Sequence, residues 1–251
     1  MTGLLPLLGK EIREQLRTYK LVIVGGVFLL FGITTPLMLK YLPQILEMFG
    51  GGIDVTVPDL TAAQALAEYA GNIGQLGLLI AVLLMMGSVA NEIKHGTVII
   101  TLSKPVSKLA FTAAKLIAAS LTFVIALALA SAVCYFYSVW LIGPSNVMPF
   151  LYLNLLTALF LIFCLAVTIL FSSLFRNSIA AGGLAIAVLV FQAVLAAVPG
   201  LGNLMPGKLP GWGTALLNGP AESHWMALGV TVAVIAACLA LAPWAISRKD
   251  L

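Results

Sequence analysis

The sequence predicts an all-α integral membrane protein of six transmembrane helices, preceded by an interfacial amphipathic helix, with both termini in the cytoplasm. Three observations carry this. Hydrophobic residues make up 61% of the 251 positions and charged residues only 9%, whereas a soluble domain carries roughly 25% charged residues. Mean hydropathy is +1.11, and six stretches reach the roughly 20 apolar residues that cross a bilayer as a helix. Finally, the basic residues fall on one side of those stretches. A soluble enzyme, a nucleic-acid-binding domain and a disordered chain are excluded, so the net charge of +4 bears on membrane orientation and not on nucleic acid.

The spans are read as 21–39, 73–90, 116–142, 151–171, 179–198 and 225–246, none containing Asp, Glu, Lys, Arg or His. They are too long for strands and lack the alternation of a β-barrel. Residues 1–20 precede the first span. There Leu5, Leu8, Ile12, Leu16 and Tyr19 recur at steps of three or four among Lys10, Glu11, Arg13, Glu14 and Arg17, the pattern of a helix lying in the interface plane. Its charges follow a short apolar patch with no small-residue cleavage site, so it does not read as a cleavable signal peptide. Lys10, Arg13, Arg17, Lys20, Lys94, Lys104, Lys108, Lys115, Arg176, Arg248 and Lys249 lie on one side of a six-span chain. Of the thirteen Lys and Arg only Lys40 and Lys208 lie on the other, which places both termini inside.

Chemistry is sparse. Cys134, Cys164 and Cys238 fall within spans as small apolar residues, and His95 and His224 lie on opposite sides, so no disulfide, metal site or catalytic residue is expected. No titratable group sits inside a span, which argues against ion-coupled transport. A P-loop is absent, and so is a His-Glu-x-x-His motif. The chain is therefore expected to be no enzyme and to bind no cofactor, with any energy supplied by another subunit. Thr34, Thr35 and Gln192 are the candidates to line a pathway. Interhelical hydrogen bonding is the other role for such residues.

The second connection, 91–115, is the most distinctive segment. Gly96-Thr97 breaks the outgoing helix, Val98, Ile99, Ile100 and Leu102 form a short apolar run, and Lys104-Pro105 breaks the chain again. Ser107 is placed to cap a helix that begins at Lys108. The run Glu92-x-x-x-Gly96-Thr97, then Ser103-Lys104-Pro105-Val106-Ser107-Lys108 and later Lys115, resembles the cytoplasmic loop of type-2 ABC transporter permeases. Lys108 stands where that family usually has Arg. The N-terminal helix, the six spans and the long break before the last span are similar too, so the resemblance covers most of the chain.

The resemblance implies a single permease domain, 1–251, working as a homodimer with two copies of a separate P-loop ATPase, which would hold ATP and magnesium. Glu92, Gly96, Thr97, Leu102, Lys104, Pro105, Val106, Ser107 and Lys108 would form the coupling segment that docks on that ATPase. Glu92 would pair with a nearby basic residue. Gly25, Gly26, Gly182 and Gly183 offer small patches for a dimer contact between the first and fifth spans. Residues 199–224, rich in glycine and proline, would be re-entrant, with Leu201, Leu204 and Met205 as gate residues; an interfacial loop anchored by Trp212 and Trp225 is the alternative. The expected cargo is amphipathic or lipid-like, and the expected location a bacterial or archaeal cytoplasmic (inner) membrane. Two rival readings are a subunit that relays ATPase motion to an extracytoplasmic partner, and a channel or carrier needing no ATPase.

Overall fold

The computed structural model describes residues 3–49, 61–97, 106–198 and 200–248. Among them no strand occurs, and six helices are long and apolar enough to cross a membrane. The first helix, α1, spans Leu4–Arg17. A corner at Thr18-Tyr19 turns the chain into the first long helix; Tyr19 takes φ 56, a left-handed conformation uncommon for a residue other than glycine. The long helix α2 is Lys20–Phe49 and contains Pro36 and Pro43. It runs well past the 39 expected from hydropathy, so the helix continues beyond the apolar stretch through Tyr41.

The second long helix, α3, is Ala62–Met85, beginning about three turns before the expected 73. Its start is set by a capping box: the Gln64 N–H donates to the Thr61 hydroxyl at 3.3 Å and the Thr61 N–H to the Gln64 side chain at 2.9 Å. A five-residue helix, α4, follows at Ala90–Lys94. The remaining spans are α5 (Lys108–Leu141), α6 (Val147–Leu174), α7 (Ser178–Ala196) and α9 (Trp225–Ser247). Asn146 and Asn177 cap α6 and α7, each accepting a backbone N–H two residues on.

Between α7 and α9 the chain forms a short 3-10 turn, Leu201–Leu204, and then α8, Lys208–Leu217. The glycines and prolines of this segment thus do not make it an open loop, because Pro210 sits in the first turn of α8, where its missing N–H costs nothing. Helix α8 folds back along α6. Gly213 lies so close to Leu153 that an added Cβ would stand 2.8 Å from the Leu153 Cα. Leu209 and Trp212 pack with Leu156 and Ala227 in a small cluster of their own. Trp212 is 8% exposed and stacks edge-on against Trp225, centroids 5.5 Å apart. It therefore packs against protein and is not the interfacial anchor of the loop reading.

The central helix is α6: 67% of its most apolar stretch lies buried, against 22% for α9. Helices α2 and α5 make the most extensive pairing among the described residues. Gly32 permits it, since a Cβ there would meet the Ala130 carbonyl oxygen at 2.7 Å, and Phe28 packs edge-on against Phe123 at 5.9 Å. Tyr69, Ser131 and Asn154 form a polar thread through the core: Tyr69 and Ser131 share a hydrogen bond of 3.3 Å, and Ser131 donates to the Asn154 side chain. Cys134, Cys164 and Cys238 are free and buried. Six crossings return the chain ends to one end of the bundle, here the basic end; the opposite one is the far end.

Candidate functional site

The second connection leaves the membrane region through a break that the sequence encodes as Gly87-Ser88. Helix α3 stops at Met85, residues 86–89 form a turn, and α4 starts at Ala90; Gly/Ser pairs are common sites of such kinks. A break deep in protein orphans backbone groups, and each must find a partner. One side chain supplies three of them. The Ser172 hydroxyl, 0% exposed in α6, accepts the Val89 and Ala90 N–H groups at 3.0 Å each and donates to the Met86 carbonyl at 2.8 Å. Other hydroxyls of α6 bond to their own helix, as Ser173 does to the Ile169 carbonyl at 2.9 Å. Sequence reasoning missed Ser172; its only signal is a Ser-Ser pair closing an otherwise apolar span.

One turn further on, Glu92 meets Lys115 of α5. The Lys115 ammonium donates to Glu92 Oε1 at 2.7 Å and to the two Glu11 oxygens at 3.0 and 3.1 Å. Lys115 is 2% exposed, and the side chains of Glu11 and Glu92 are 8% and 18% exposed. Lys10 approaches from the rim, 3.5 Å from Glu11 and 3.9 Å from Glu92. The Phe111 ring lies 5.1 Å below the ammonium. Charge-assisted contacts this short are the strong kind, and they join three separate elements, α1, α4 and α5. A second bond continues the seam, as the Thr122 hydroxyl donates to Gln15 Oε1 at 2.7 Å.

The basic partner expected for Glu92 is thus Lys115, a residue of the quoted motif. Glu11 was not singled out. Its signal was the spacing Leu7, Glu11, Gln15, one face of α1 in steps of four, which is the face that the structure buries. The stripe read as apolar behaves differently. Leu5, Leu16 and Tyr19 are exposed, while Leu8 and Ile12 are half-buried at its edge.

The coupling candidates divide in three. On the incoming side, α4 ends at Lys94 and Gly96 takes φ 71, a left-handed stop that glycine allows. The Thr97 hydroxyl donates to the Glu92 carbonyl at 3.3 Å. Leu102, Lys104 and Pro105 lie outside the described residues. On the outgoing side, Val106 packs on α1, where a Cβ on Gly3 would stand 2.9 Å from its methyl. Ser107 caps α5 as expected, its hydroxyl accepting the Ala110 N–H at 3.1 Å, and Lys108 is half-buried in the first turn. The stretch 91–115 is therefore not a loop throughout: it contains most of α4 and the first two turns of α5.

The other candidates are scattered. Thr34 and Thr35 line a cavity of about 340 Å³ with Phe31, Met38, Glu68 and Asn72, toward the far end of α2 and α3. Gln192 stands apart from them in α7; it is 7% exposed, and its amide oxygen accepts the Gly207 N–H at 3.0 Å. It thereby pins the segment leading into α8. Leu201 and Leu204 are exposed on the 3-10 turn, and Met205 follows half-buried. Gly25, Gly26 and Gly183 face open space, whereas a Cβ on Gly182 would meet the Met86 sulfur at 2.8 Å. Gly182 thus packs within the chain at the α3 break.

Residues 5–210 match the family described as ABC-2 family transporter protein, a stretch running from α1 through the junction and into α8. Over 199 residues the chain is 26% identical to the uncharacterized transmembrane protein YxlG of Bacillus subtilis (strain 168), covering 77% of each chain. The family match takes in every residue of the Glu11–Lys115–Glu92 junction and the Ser172 splice. This chain belongs to the ABC-2 family of transporter proteins and is a membrane-spanning subunit of an ABC transporter.

Proposed function

We propose that two copies of this chain form a pathway for amphipathic or lipid-like cargo, driven outward by two copies of a separate ATPase that dock on residues 95–108. The observation that carries the proposal is the junction of Glu11, Glu92 and Lys115. A docking segment can move a membrane domain only if both of its ends are fixed to the spans. Here the entrance is fixed by Glu92 to α5 and, through the Ser172 splice, to α6. The exit is fixed by the Ser107 cap on α5 and by Val106 against α1. A displacement of the segment is thus delivered to α1, α3, α5 and α6 together, because packed interiors shift as rigid elements and do not deform continuously.

ATP and magnesium belong to the partner in this scheme, and the chain itself performs no bond chemistry. The excess of Lys and Arg at the basic end supports a cytoplasmic docking face in a bacterial or archaeal membrane. The lining near Thr34 and Thr35 joins an apolar wall of Phe31, Met38, Leu39 and Leu42 to a polar edge of Glu68 and Asn72, which supports an amphipathic cargo. The test is to purify the tagged chain from its native membrane in mild detergent and identify by mass spectrometry what accompanies it. Wild type should bring a P-loop ATPase in near one-to-one ratio. Gly96→Trp should lose it, and Glu92→Ala should lose it or leave its turnover uncoupled. A chain that emerges alone, or variants that behave as wild type, would overturn the proposal.

A further inference from the structure

Helix α1 has a third face that the packing of the bundle does not use and that meets the junction only at its rim, through Lys10. Lys10, Arg13 and Arg17, at steps of three and four, share one side of the helix. Together with Pro6 and Gly9 they border an open groove of about 700 Å³. Among the described residues, Arg13 and Arg17 form no ion pair. Glu14, also at the groove, lies 3.9 Å from Lys20, so its charge is already opposed. Beside this basic face runs the unpartnered apolar stripe, with Leu5 78%, Leu16 55% and Tyr19 68% exposed. The buried face of Leu7, Glu11 and Gln15 fixes how α1 sits on α5, so neither of the other faces can rotate away.

We infer that this face of α1 is a binding site for the headgroup of an anionic phospholipid. The charge and the apolar stripe point to the same occupant. A free anion would be served by the cations alone, whereas Leu5, Leu16 and Tyr19 call for acyl chains beside the phosphate, the arrangement an interfacial helix makes with anionic lipid. Each Lys or Arg held near such a surface strengthens binding about fivefold. Lys10 gives the site a route inward, since the ammonium that borders the groove also reaches Glu11 and Glu92. A phosphate in the groove competes with those carboxylates for it. The site stands independently of any ATPase or cargo.

The test uses the full chain reconstituted in bilayer discs of phosphatidylcholine mixed with increasing phosphatidylglycerol. Native mass spectrometry counts the lipids that stay bound. Wild type should retain phosphatidylglycerol in preference to phosphatidylcholine. Arg13→Gln/Arg17→Gln should weaken that retention about 25-fold, and Arg13→Lys/Arg17→Lys should keep most of it. Arg176→Gln/Arg248→Gln, which removes equal charge from the same end, should leave it unchanged. Equal retention of the two lipids would overturn the inference. So would a control variant that loses as much as Arg13→Gln/Arg17→Gln, or a lysine variant that loses as much as the glutamine one. Displacement of the lipid by soluble glycerol phosphate at matching concentration would also overturn it, because the site would then read phosphate and not membrane.

Discussion

Replacing Lys115 by methionine removes the positive charge at the centre of the junction while keeping a side chain of similar length and good helix propensity. Three hydrogen bonds disappear, at 2.7, 3.0 and 3.1 Å. Two carboxylates that are 8% and 18% exposed are left facing each other, with the half-exposed Lys10 as the one cation within 3.9 Å among the described residues. Breaking a buried ion pair from one side costs about 3–5 kcal/mol, mostly because the abandoned charge stays buried. Lys10 offsets part of this, which puts the expected loss near 3 kcal/mol. For a chain of this size that lowers the midpoint of thermal unfolding by about 10 °C, measurable in detergent by the fluorescence of a thiol-reactive dye on Cys134, Cys164 and Cys238, all buried until the fold opens. The variant Glu11→Gln/Glu92→Gln/Lys115→Met removes the three most buried charges at once, leaving only Lys10 at the rim, and should recover most of the loss, since neutralising a buried cluster is often close to neutral. A single variant that melts with wild type, or a triple variant that melts below the single one, would refute the reasoning.

Three further outcomes follow from the same geometry. Ser172→Ala leaves the Val89 and Ala90 N–H groups without an acceptor and should cost about 2–6 kcal/mol at 1–3 kcal/mol for each orphaned group; hydrogen exchange should accelerate at residues 86–94. Gly32→Ala pushes a methyl against the Ala130 carbonyl and should destabilise by about 1–3 kcal/mol, read as a lower melting midpoint with unchanged helicity. Gln192→Leu frees the Gly207 N–H and should raise hydrogen exchange at residues 200–217 while leaving the basic end protected.

The six spans, the cap at Ser107 and the break at Gly96 were all legible, because each rests on local composition or on a side chain bonding a backbone within three residues. The helix ends were less so. Hydropathy marks the apolar stretch and not the helix, so α3 and α5 begin before it, where Glu68 and Lys115 still belong to regular helix. Residues acting across the fold were the hardest to see. Ser172 is separated from Met86 by 86 positions and Glu11 from Lys115 by 104, and a lone serine or glutamate carries no mark of so distant a partner. Lys115 was visible as part of a motif, but as one basic charge among several at that end; only packing shows that it is buried. The face of α1 that packs on the bundle, Leu7, Glu11 and Gln15, was hidden for a related reason. Hydrophobic periodicity finds the stripe that avoids water, which in a membrane points to lipid as readily as to protein.

The central claim is that residues 95–108 form the contact through which an ATPase drives this membrane domain. The most direct measurement places a photo-crosslinking amino acid in turn at Lys94, Gly96 and Lys108, and as a control at Leu201 on the far end, in cells that express the chain with its native partners. The account predicts that the first three positions capture a P-loop ATPase and that Leu201 does not. If Leu201 captures the ATPase, or if the three positions capture none while the chain alone moves a solute down its gradient in liposomes, the account is contradicted.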